Sequence, residues 1–519
     1  MIDFVRKQIL VVIFGIVVFA LLGMAASQMA ARVPFRWDLF CWSESPFMTN
    51  LLKLDDGQPI YTSPEQANSF VYSPGLEYLT YALLKPFGRQ LDIRYCRVVS
   101  IGFAIIASLA FMRSAILLSR AAFGSSEHRL FAPVAAALFF LVIYHNFTAD
   151  VTHPDNLYIF HAAVTLWLTF EAIARPAAWR SVAAILFAAM GVYVKQMAGL
   201  SSIGVGLVLV ATAPRKLRAA AWLLPLASAA TASTLGCLWA MGWVKFYTYD
   251  VLVAHADHHG IRSKLPELLA LLFQTYRALP LLLGGIAIVS GLRSRNRTVA
   301  RFLIAYLVLG VIEVAPSVLA YLKPMGSWNN LTIIEVWATL PVVPLLLQLM
   351  RGDAFGPSPR RELAWLAGFS QASTLALALA FAFVYVPGKF KPEPGHYAHC
   401  QAIQDSVEQD LKSGKRVLVA HGAMFQILGG SRKVPLDRSN SILELFVAGK
   451  EYLTGTGDRI RAHYYDKIYV NSPFYSKEIL ATIQANYQNA GYIPGKWDYN
   501  KLEFGSNMLT CDTFVWARR

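Results

Sequence analysis

Apolar runs long enough to cross a lipid bilayer recur along this chain and restrict its fold more than any other feature. They lie near residues 9–29, 95–119, 130–146, 155–174, 181–194, 197–213, 219–244, 267–291, 300–321, 331–350 and 363–386. About 20 apolar residues in a helix span the hydrocarbon core. We therefore predict a polytopic α-helical membrane protein with about 11 transmembrane helices.

The composition agrees with this prediction. Of the 519 residues, 55% are hydrophobic and 15% are charged, which excludes an ordinary cytosolic enzyme. The net charge of +15 comes from short Lys and Arg clusters between apolar runs, where charge sets membrane orientation. We therefore expect no nucleic-acid partner. Arg6 and Lys7 precede the first run, which we interpret as a retained signal anchor.

The basic clusters predict the orientation of the chain in the membrane. They fall in alternate connections, which the positive-inside rule assigns to the cytoplasm together with the N-terminus. The remaining connections, including residues 30–94 and everything after Val386, then face the periplasm or an equivalent compartment. We predict a multi-pass protein of the inner (plasma) membrane. The clusters are Arg113, Arg120 and Arg129; Arg175 and Arg180; Arg215, Lys216 and Arg218; Arg293, Arg295, Arg297 and Arg301; and Arg351, Arg360 and Arg361.

The last segment differs in composition from the rest and predicts a second domain. We place a transmembrane domain at 1–386, with a first outer loop at 30–94, and an outer α/β domain at 387–519. Cys400 and Cys511 lie near opposite ends of the outer domain, in a compartment that permits disulfides, and we predict that they pair. The predicted elements are a helix at 398–412 and strands at 416–420, 467–471 and 513–516.

The first outer loop carries two acidic residues, Asp38 and Glu44, just beyond the first apolar run. A carboxylate there stays near the membrane surface and still reaches water, as a general base for sugar transfer from a lipid phosphate requires. The alternative is that both carboxylates simply solvate a juxtamembrane helix.

A tight outer turn precedes the fourth apolar run and contains Asp150, His153 and Asp155, with His161 about two turns further on. Placing acidic groups and imidazoles at membrane level costs free energy, so their presence there indicates a partner or a function. Asp and His also suit divalent metal ions. The alternative is helix capping by Asp155, which follows Pro154 at a helix N-terminus.

Two further outer connections carry polar groups at membrane level. Lys195 and Gln196 end a short hairpin, where an ammonium either holds a lipid phosphate or extends to the interface. Trp328, Asn329 and Asn330 either stack on and hydrogen-bond a sugar or act as interfacial anchors.

The loop at 245–264 gathers His258, His259, Arg262 and Lys264. Three interpretations remain open: a phosphate-binding rim, a pH-sensitive surface loop, or a metal site. The spacing matches no structural zinc motif, so we rank metal last.

These motifs, in their order along the chain, resemble the GT-C superfamily of integral-membrane glycosyltransferases that use polyprenyl-phosphate sugars. The chain is similar to the bacterial protein-mannosyltransferase and aminoarabinose-transferase group. The resemblance covers most of the chain and depends on motif order, because each motif alone is loose. The motifs are Asp38 with Glu44, then 57–61, 72–78, 153–155, 193–196, 246–260 and 326–330.

The resemblance implies an inverting transfer of a sugar to a hydroxyl of a glycan, lipid or protein acceptor. Asp38 would be the general base, with Glu44 in reserve, although members often place the acidic pair closer together. Lys195, Gln196, His258, His259, Arg262 and Lys264 would bind the donor phosphate; Tyr72, Asp150, His153, Asp155, Trp328, Asn329 and Asn330 would bind substrate.

No cofactor is certain from the sequence. Some members of the superfamily need a divalent metal such as Mg²⁺ or Mn²⁺, and others do not. If a metal binds here, the expected ligands are Asp38, Glu44, His153 and Asp155.

Two other kinds of protein compete with this interpretation. One is a ligase or polymerase that uses polyprenyl-diphosphate-linked glycans, which the sequence separates poorly from a transferase. The other is a lipid flippase or secondary transporter, which would show internal repeats and midplane charges. We find neither feature in the sequence.

Overall fold

The computed structural model is mostly helical, with a small sheet near the C-terminus. It describes residues 2–39, 44–61, 72–89, 91–123, 132–145, 149–240, 261–273, 281–282, 284–285, 288–289, 296–322, 328–351, 392–420, 455–471, 477–494 and 513–519.

The apolar part of the chain forms a bundle of helices. Within the described residues, five helices are long and apolar enough to cross a membrane: Gly15–Arg32, Ile93–Ala121, Pro154–Ala174, Lys216–Trp239 and Arg297–Leu322. Shorter apolar helices lie between them. The α-helices bounded within the described residues of this part are α1 Ile2–Arg32, α2 Ser45–Asp55, α3 Gly75–Leu84, α4 Ile93–Phe123, α5 Ala132–His145, α6 Pro154–Ala174, α7 Ala178–Ala189, α8 Gly191–Val194, α9 Ser201–Thr212, α10 Lys216–Ala240, α11 Ile261–Leu272, α12 Arg297–Leu322 and α13 Thr332–Arg351.

Helices coincide with most of the predicted runs. The run at 267–291 differs, because α11 already begins at Ile261. The run at 363–386 lies outside the described residues. The total of about 11 spans and the orientation in the membrane therefore stay predictions.

The least regular part of the bundle is the hairpin at Lys195. Helix α8 ends at Val194, Lys195 is extended (φ −158°, ψ 140°), and a short 3₁₀ helix, Gln196–Leu200, leads into α9. A Cβ atom on Gly191 would lie 2.4 Å from the carbonyl oxygen of Ala198. Only glycine permits this close approach, so Gly191 allows the chain to fold back at the position that presents Lys195.

The helices interlock around a continuous apolar core. The largest contact is between α4 and α6, while α12 packs against α6 and α9. Helices α12 and α13 are joined by a reciprocal pair of hydrogen bonds: the Tyr306 hydroxyl donates to the Trp337 carbonyl (2.8 Å), and the Trp337 indole donates to the Tyr306 carbonyl (3.2 Å). Burying both polar tips in this way satisfies them inside the bundle.

The first outer loop forms two short helices, α2 and α3, that pack against each other and against the bundle. Helix α3 is two-sided. Its inner face is buried, while its outer face leaves apolar side chains exposed, as expected for a helix lying along a membrane surface. The buried residues are Leu76, Glu77, Thr80 and Leu84; the exposed ones are Tyr78, Leu79, Leu83 and, just beyond the helix, Phe87.

A four-stranded sheet with flanking helices forms the described part of 387–519. Strands β1 and β2 are parallel, and β2–β4 and β4–β3 are antiparallel, in the order β1-β2-β4-β3. The predicted helix and all three predicted strands are present, and β3 was not expected. The elements are α14 Pro394–Lys412, β1 Val417–Ala420, α15 Thr456–Arg461, β2 Lys467–Asn471, α16 Lys477–Asn486, β3 Tyr487–Ile493 and β4 Thr513–Arg518.

A buried carboxylate fixes α14 on this sheet. Asp410 of α14 accepts a hydrogen bond from the Tyr469 hydroxyl of β2 (2.6 Å) and pairs with Lys467 and Lys415, both at 2.8 Å. Cys400 is buried on the same helix, and Cys511 lies outside the described residues, so their disulfide stays a prediction.

Gly75 gives a test of how the first loop docks on the hairpin. A Cβ there would lie 2.4 Å from the Tyr193 carbonyl oxygen, so Gly75→Ala should lower the free energy of unfolding by about 1–3 kcal/mol. Gly102→Ala is the control, since a Cβ there meets nothing within 4 Å and should raise stability by about 0.5–1 kcal/mol. Thermal denaturation in detergent would measure both; equal melting temperatures would contradict the docking.

Candidate active site

Asp38 lies just outside the end of the first helix. Helix α1 ends at Arg32, and the chain then runs in irregular conformation to Asp38. Asp38 is only 2% exposed, so the expectation that its carboxylate reaches water is wrong. Its Oδ2 accepts a hydrogen bond from the backbone N–H of Glu44 at 2.8 Å. This bond closes the loop between the two predicted acidic residues and holds the Asp38 carboxylate against the start of α2.

Glu44 is fully buried and paired with Arg97 at the start of α4. The Arg97 Nε lies 2.9 Å from Oε1, and the Nη2 lies 2.5 Å from Oε2. The same two oxygens accept backbone N–H groups from Thr152 (2.9 Å) and Leu39 (3.0 Å). Both carboxylate oxygens of Glu44 are therefore committed to holding three segments of the chain together.

Arg97 also fixes the path of the chain to Asp38. Its guanidinium donates to the carbonyl oxygens of Arg32 (3.2 Å), Phe35 and Trp37 (2.6 Å). Arg97 was not among the predicted site residues. The sequence signal for it is an Arg near the start of an apolar run, where an unpaired charge would carry a large free-energy cost.

A second buried ion pair joins the end of α1 to the turn before α6. The Arg32 Nε lies 2.7 Å from Asp150 Oδ2, and both side chains are fully buried. Asp150 was predicted to bind substrate, and the structure instead gives it Arg32 as a partner. Together with the Thr152 contact to Glu44, this pair brings the turn at 149–153 against the Asp38 loop.

Asp155 gathers residues from three connections. The Lys195 ammonium lies 2.5 Å from its Oδ1, the Asn329 side-chain amide donates to its Oδ2, and the His153 Nδ1 lies 3.2 Å from the same oxygen. Four predicted site residues therefore meet at one point. His153 is also the N-cap of α6, because its Nδ1 accepts the Asp155 N–H at 3.4 Å. Asp155 lies in the first turn of the same helix, where a carboxylate interacts favourably with the helix dipole, as the capping alternative expects.

Aromatic rings surround this cluster. The Lys195 Nζ lies 5.4 Å from the centre of the Tyr158 ring, a cation–π distance. The His153 ring lies edge-on to Phe47 at 5.3 Å and near Tyr72 at 6.4 Å. Tyr72, predicted to bind substrate, thus joins the first outer loop to the Asp155 cluster.

The other predicted donor- and substrate-binding residues lie partly outside the described chain. His258 and His259, and the side chains of Arg262 and Trp328, lie outside the described part of the chain. Lys264 stands over the Tyr321 ring at 5.4 Å, and partial burial lowers its pKa. Gln196 begins the 3₁₀ helix after Lys195, and Asn330 follows Asn329 in the 3₁₀ helix Trp328–Leu331.

A buried acidic residue within α12 was also missed. The Ser201 hydroxyl donates to Glu313 Oε1 at 2.6 Å, and the Tyr158 hydroxyl donates to the Glu313 carbonyl oxygen at 2.8 Å. Glu313 therefore links α12 to α9 through Ser201 and to α6 through Tyr158. A single Glu inside a long apolar run is the signal that would have found it.

The proposed metal ligands do not form a metal site. Among the residues that the structure describes, no group of three or more His, Cys, Asp or Glu side chains could hold an ion. The oxygens of Glu44 are engaged by Arg97, and those of Asp155 by Lys195 and Asn329. A cation would have to displace these positive and N–H partners.

No protein-family model matches the chain, and no curated protein matches it in sequence. Solved structures do match its fold. ArnT from Cupriavidus metallidurans bound to undecaprenyl phosphate is 12% identical, with a TM-score of 0.53 over 98% of this chain and 97% of that one. The apo state of the same protein gives 0.52.

An apo oligosaccharyltransferase from Archaeoglobus fulgidus is also 12% identical, with a TM-score of 0.51 over 92% of this chain and 71% of that one. Both proteins are GT-C glycosyltransferases. The resemblance inferred from the motifs is therefore confirmed as a likeness of fold.

Glu77 of α3 gives a pH-dependent test of the first loop. Burial raises its pKa to about 8, opposed by a weak hydrogen bond from the Asn50 amide. Because the folded state then holds the Glu77 proton more tightly than the unfolded state, stability should be full below about pH 4.5 and fall as pH rises towards 8. The loss should be on the order of a few kcal/mol.

In Glu77→Gln this loss should largely disappear, so that the variant is the more stable protein near pH 8. Asp405→Asn, which removes an exposed carboxylate from α14, should keep the wild-type pH profile. Melting temperatures across the pH range would decide; parallel curves for wild type and Glu77→Gln would count against the proton held by Glu77.

Proposed function

We propose that this protein is a membrane glycosyltransferase that moves a sugar from a polyprenyl-phosphate donor to a hydroxyl acceptor, with Asp38 as general base. The observation that carries the proposal is the convergence of the Asp38 loop and the Lys195 cluster within a fold shared with a transferase that binds undecaprenyl phosphate. The acceptor is a glycan, a lipid or a protein.

Asp38 is a better base than Glu44 because of how each carboxylate is held. Glu44 is neutralised by Arg97 through both oxygens, and protonating it would break that pair. The Asp38 carboxylate accepts the Glu44 N–H through Oδ2, which fixes its position at the end of the loop. A general base is chosen first by position, so we assign this role to Asp38.

The reaction needs one proton acceptor and one stabilised leaving group. The acceptor hydroxyl gives its proton to Asp38 while its oxygen bonds to the anomeric carbon from the face opposite the phosphate. The bond between the anomeric carbon and the phosphate oxygen breaks, and the polyprenyl phosphate leaves with the electron pair. The sugar is therefore transferred with inversion.

Lys195 is the cation assigned to the leaving phosphate. An ammonium has three N–H donors, and the contact with Asp155 uses one of them. Asp155 is itself positioned by Asn329 and His153. It therefore fixes the position of the Lys195 ammonium without engaging all of its N–H donors. A preset cation facing a phosphate that gains charge stabilises the transition state.

The site lies on the outer face of the inner membrane in this proposal, with the N-terminus in the cytoplasm and the α/β domain outside. The alternation of basic clusters along the chain supports this orientation. Reconstitution with a panel of polyprenyl-phosphate sugars tests the class of reaction: a polyprenyl monophosphate product is expected, while a diphosphate product would assign the chain to the lipid-linked glycan ligases.

Asp38→Asn should abolish sugar transfer while leaving donor binding and thermal stability nearly unchanged, because the amide keeps the shape but cannot accept the proton. The matched control is Asp56→Asn, which removes an exposed carboxylate from the same loop and should retain wild-type turnover. Transfer of radiolabelled sugar in proteoliposomes would measure both. Full activity of Asp38→Asn would move the base to another residue.

Lys195→Gln should weaken binding of polyprenyl phosphate by about 10- to 100-fold, the range expected for a lost charge-assisted hydrogen bond. Because the single change leaves Asp155 buried and unpaired, the double variant Lys195→Gln/Asp155→Asn should recover stability without recovering affinity. Lys85→Met, which removes an exposed lysine of the first loop, is the control. Lipid titration would measure affinity; equal affinity in all variants would contradict the role of Lys195.

A further inference from the structure

Helix α14, the first helix of the C-terminal α/β domain, contacts the loop that carries Asp38. The Tyr397 ring lies edge-on to Phe35 at 5.0 Å (88°) and to Trp37 at 6.0 Å (76°), and Phe35 lies 5.5 Å from Trp37. These three rings close a triangle. Two turns further along α14, Gln404 Oε1 accepts a hydrogen bond from the Trp37 indole at 3.3 Å.

The contact is made by residues that are buried although they lie in a loop. Phe35 is 0% exposed and Trp37 is 2% exposed. Trp37 directly precedes Asp38 in the chain, so the orientation of its backbone sets the direction in which the carboxylate points. The aromatic triangle therefore acts on the residue next to the proposed base.

The same short segment is held independently by Arg97. The Arg97 guanidinium binds the carbonyl oxygens of Phe35 and Trp37, while Tyr397 and Gln404 hold the side chains of the same two residues. Backbone and side chains are thus fixed by different parts of the chain. Arg97 belongs to the helical bundle, and Tyr397 belongs to the C-terminal domain.

We propose that Tyr397 and Gln404 are positioning residues for Asp38, so that the C-terminal domain forms part of the catalytic unit. This inference rests on the proposed function, in which Asp38 is the base. A base must come within about 2.6–3.2 Å of the proton that it removes. A displacement of about 1 Å can cost on the order of a hundredfold in rate. The packed rings of Phe35, Trp37 and Tyr397 oppose a displacement of this size on the side of the loop that contacts α14.

The test compares three variants of the full-length protein in proteoliposomes. Tyr397→Ala removes the ring and should lower kcat by about tenfold or more, with little change in the donor KM, because Lys195 and its cluster are untouched. Tyr397→Phe keeps the ring and should retain wild-type kcat. Gln401→Ala, on the exposed face of the same helix, should also match wild type.

Hydrogen exchange of the backbone in residues 33–39 supplies a readout that does not depend on activity. Exchange should be faster in Tyr397→Ala than in wild type and unchanged in Tyr397→Phe and Gln401→Ala. Unchanged exchange in Tyr397→Ala, or a kcat per folded molecule equal to wild type, would overturn the positioning role. If wild type transfers no sugar but the exchange pattern is as expected, the contact stands and the proposed function fails.

Discussion

The fully buried ion pair between Arg97 and Glu44 is the interaction on which the rest of the site depends. Two opposite charges removed from water repay their desolvation only with good geometry and with their remaining hydrogen-bond capacity used. Here the guanidinium donates to four carbonyl groups of the chain leading to Asp38, and the carboxylate accepts two backbone N–H groups. The hydrogen bonds that satisfy these two buried charges therefore fix the conformation of the loop that carries Asp38.

The other charged residues follow the same principle. Arg32 with Asp150 and Lys195 with Asp155 are buried pairs, each linking connections that are distant in sequence. Because an apolar bundle cannot hold these charges singly, every pair brings two connections to one place. The buried ion pairs thus determine how the loops pack together, and the apolar faces determine how the helices pack together.

Much of the fold could be predicted from hydropathy, since spanning-length runs are set by bilayer thickness rather than by detailed packing. The convergence of His153, Asp155, Lys195 and Asn329 could be anticipated only as a shared membrane level. The contact of Lys195 with Asp155 depends on the hairpin at Gly191, which requires one close backbone approach. Arg97 and Glu313 were missed because each looks like an isolated exception within an apolar run.

Glu44 shows a related limit of sequence reasoning. As a loop carboxylate six residues after Asp38, it reads as a second candidate base. Its partner Arg97 stands 53 residues later, and no local pattern connects the two. Conversely, strand β3 escaped prediction because its residues are mostly exposed and resemble a loop until β4 pairs with them.

The partners of the Asp38 loop also fix when the site comes into existence during synthesis. The loop is complete only after Arg97, then Thr152 and finally Tyr397 have emerged and been inserted or folded. A chain interrupted before the C-terminal domain would carry Asp38 on a loop that lacks its contacts with Tyr397 and Gln404. The order of translation thus delays the complete set of contacts around Asp38 until the C-terminal domain has folded.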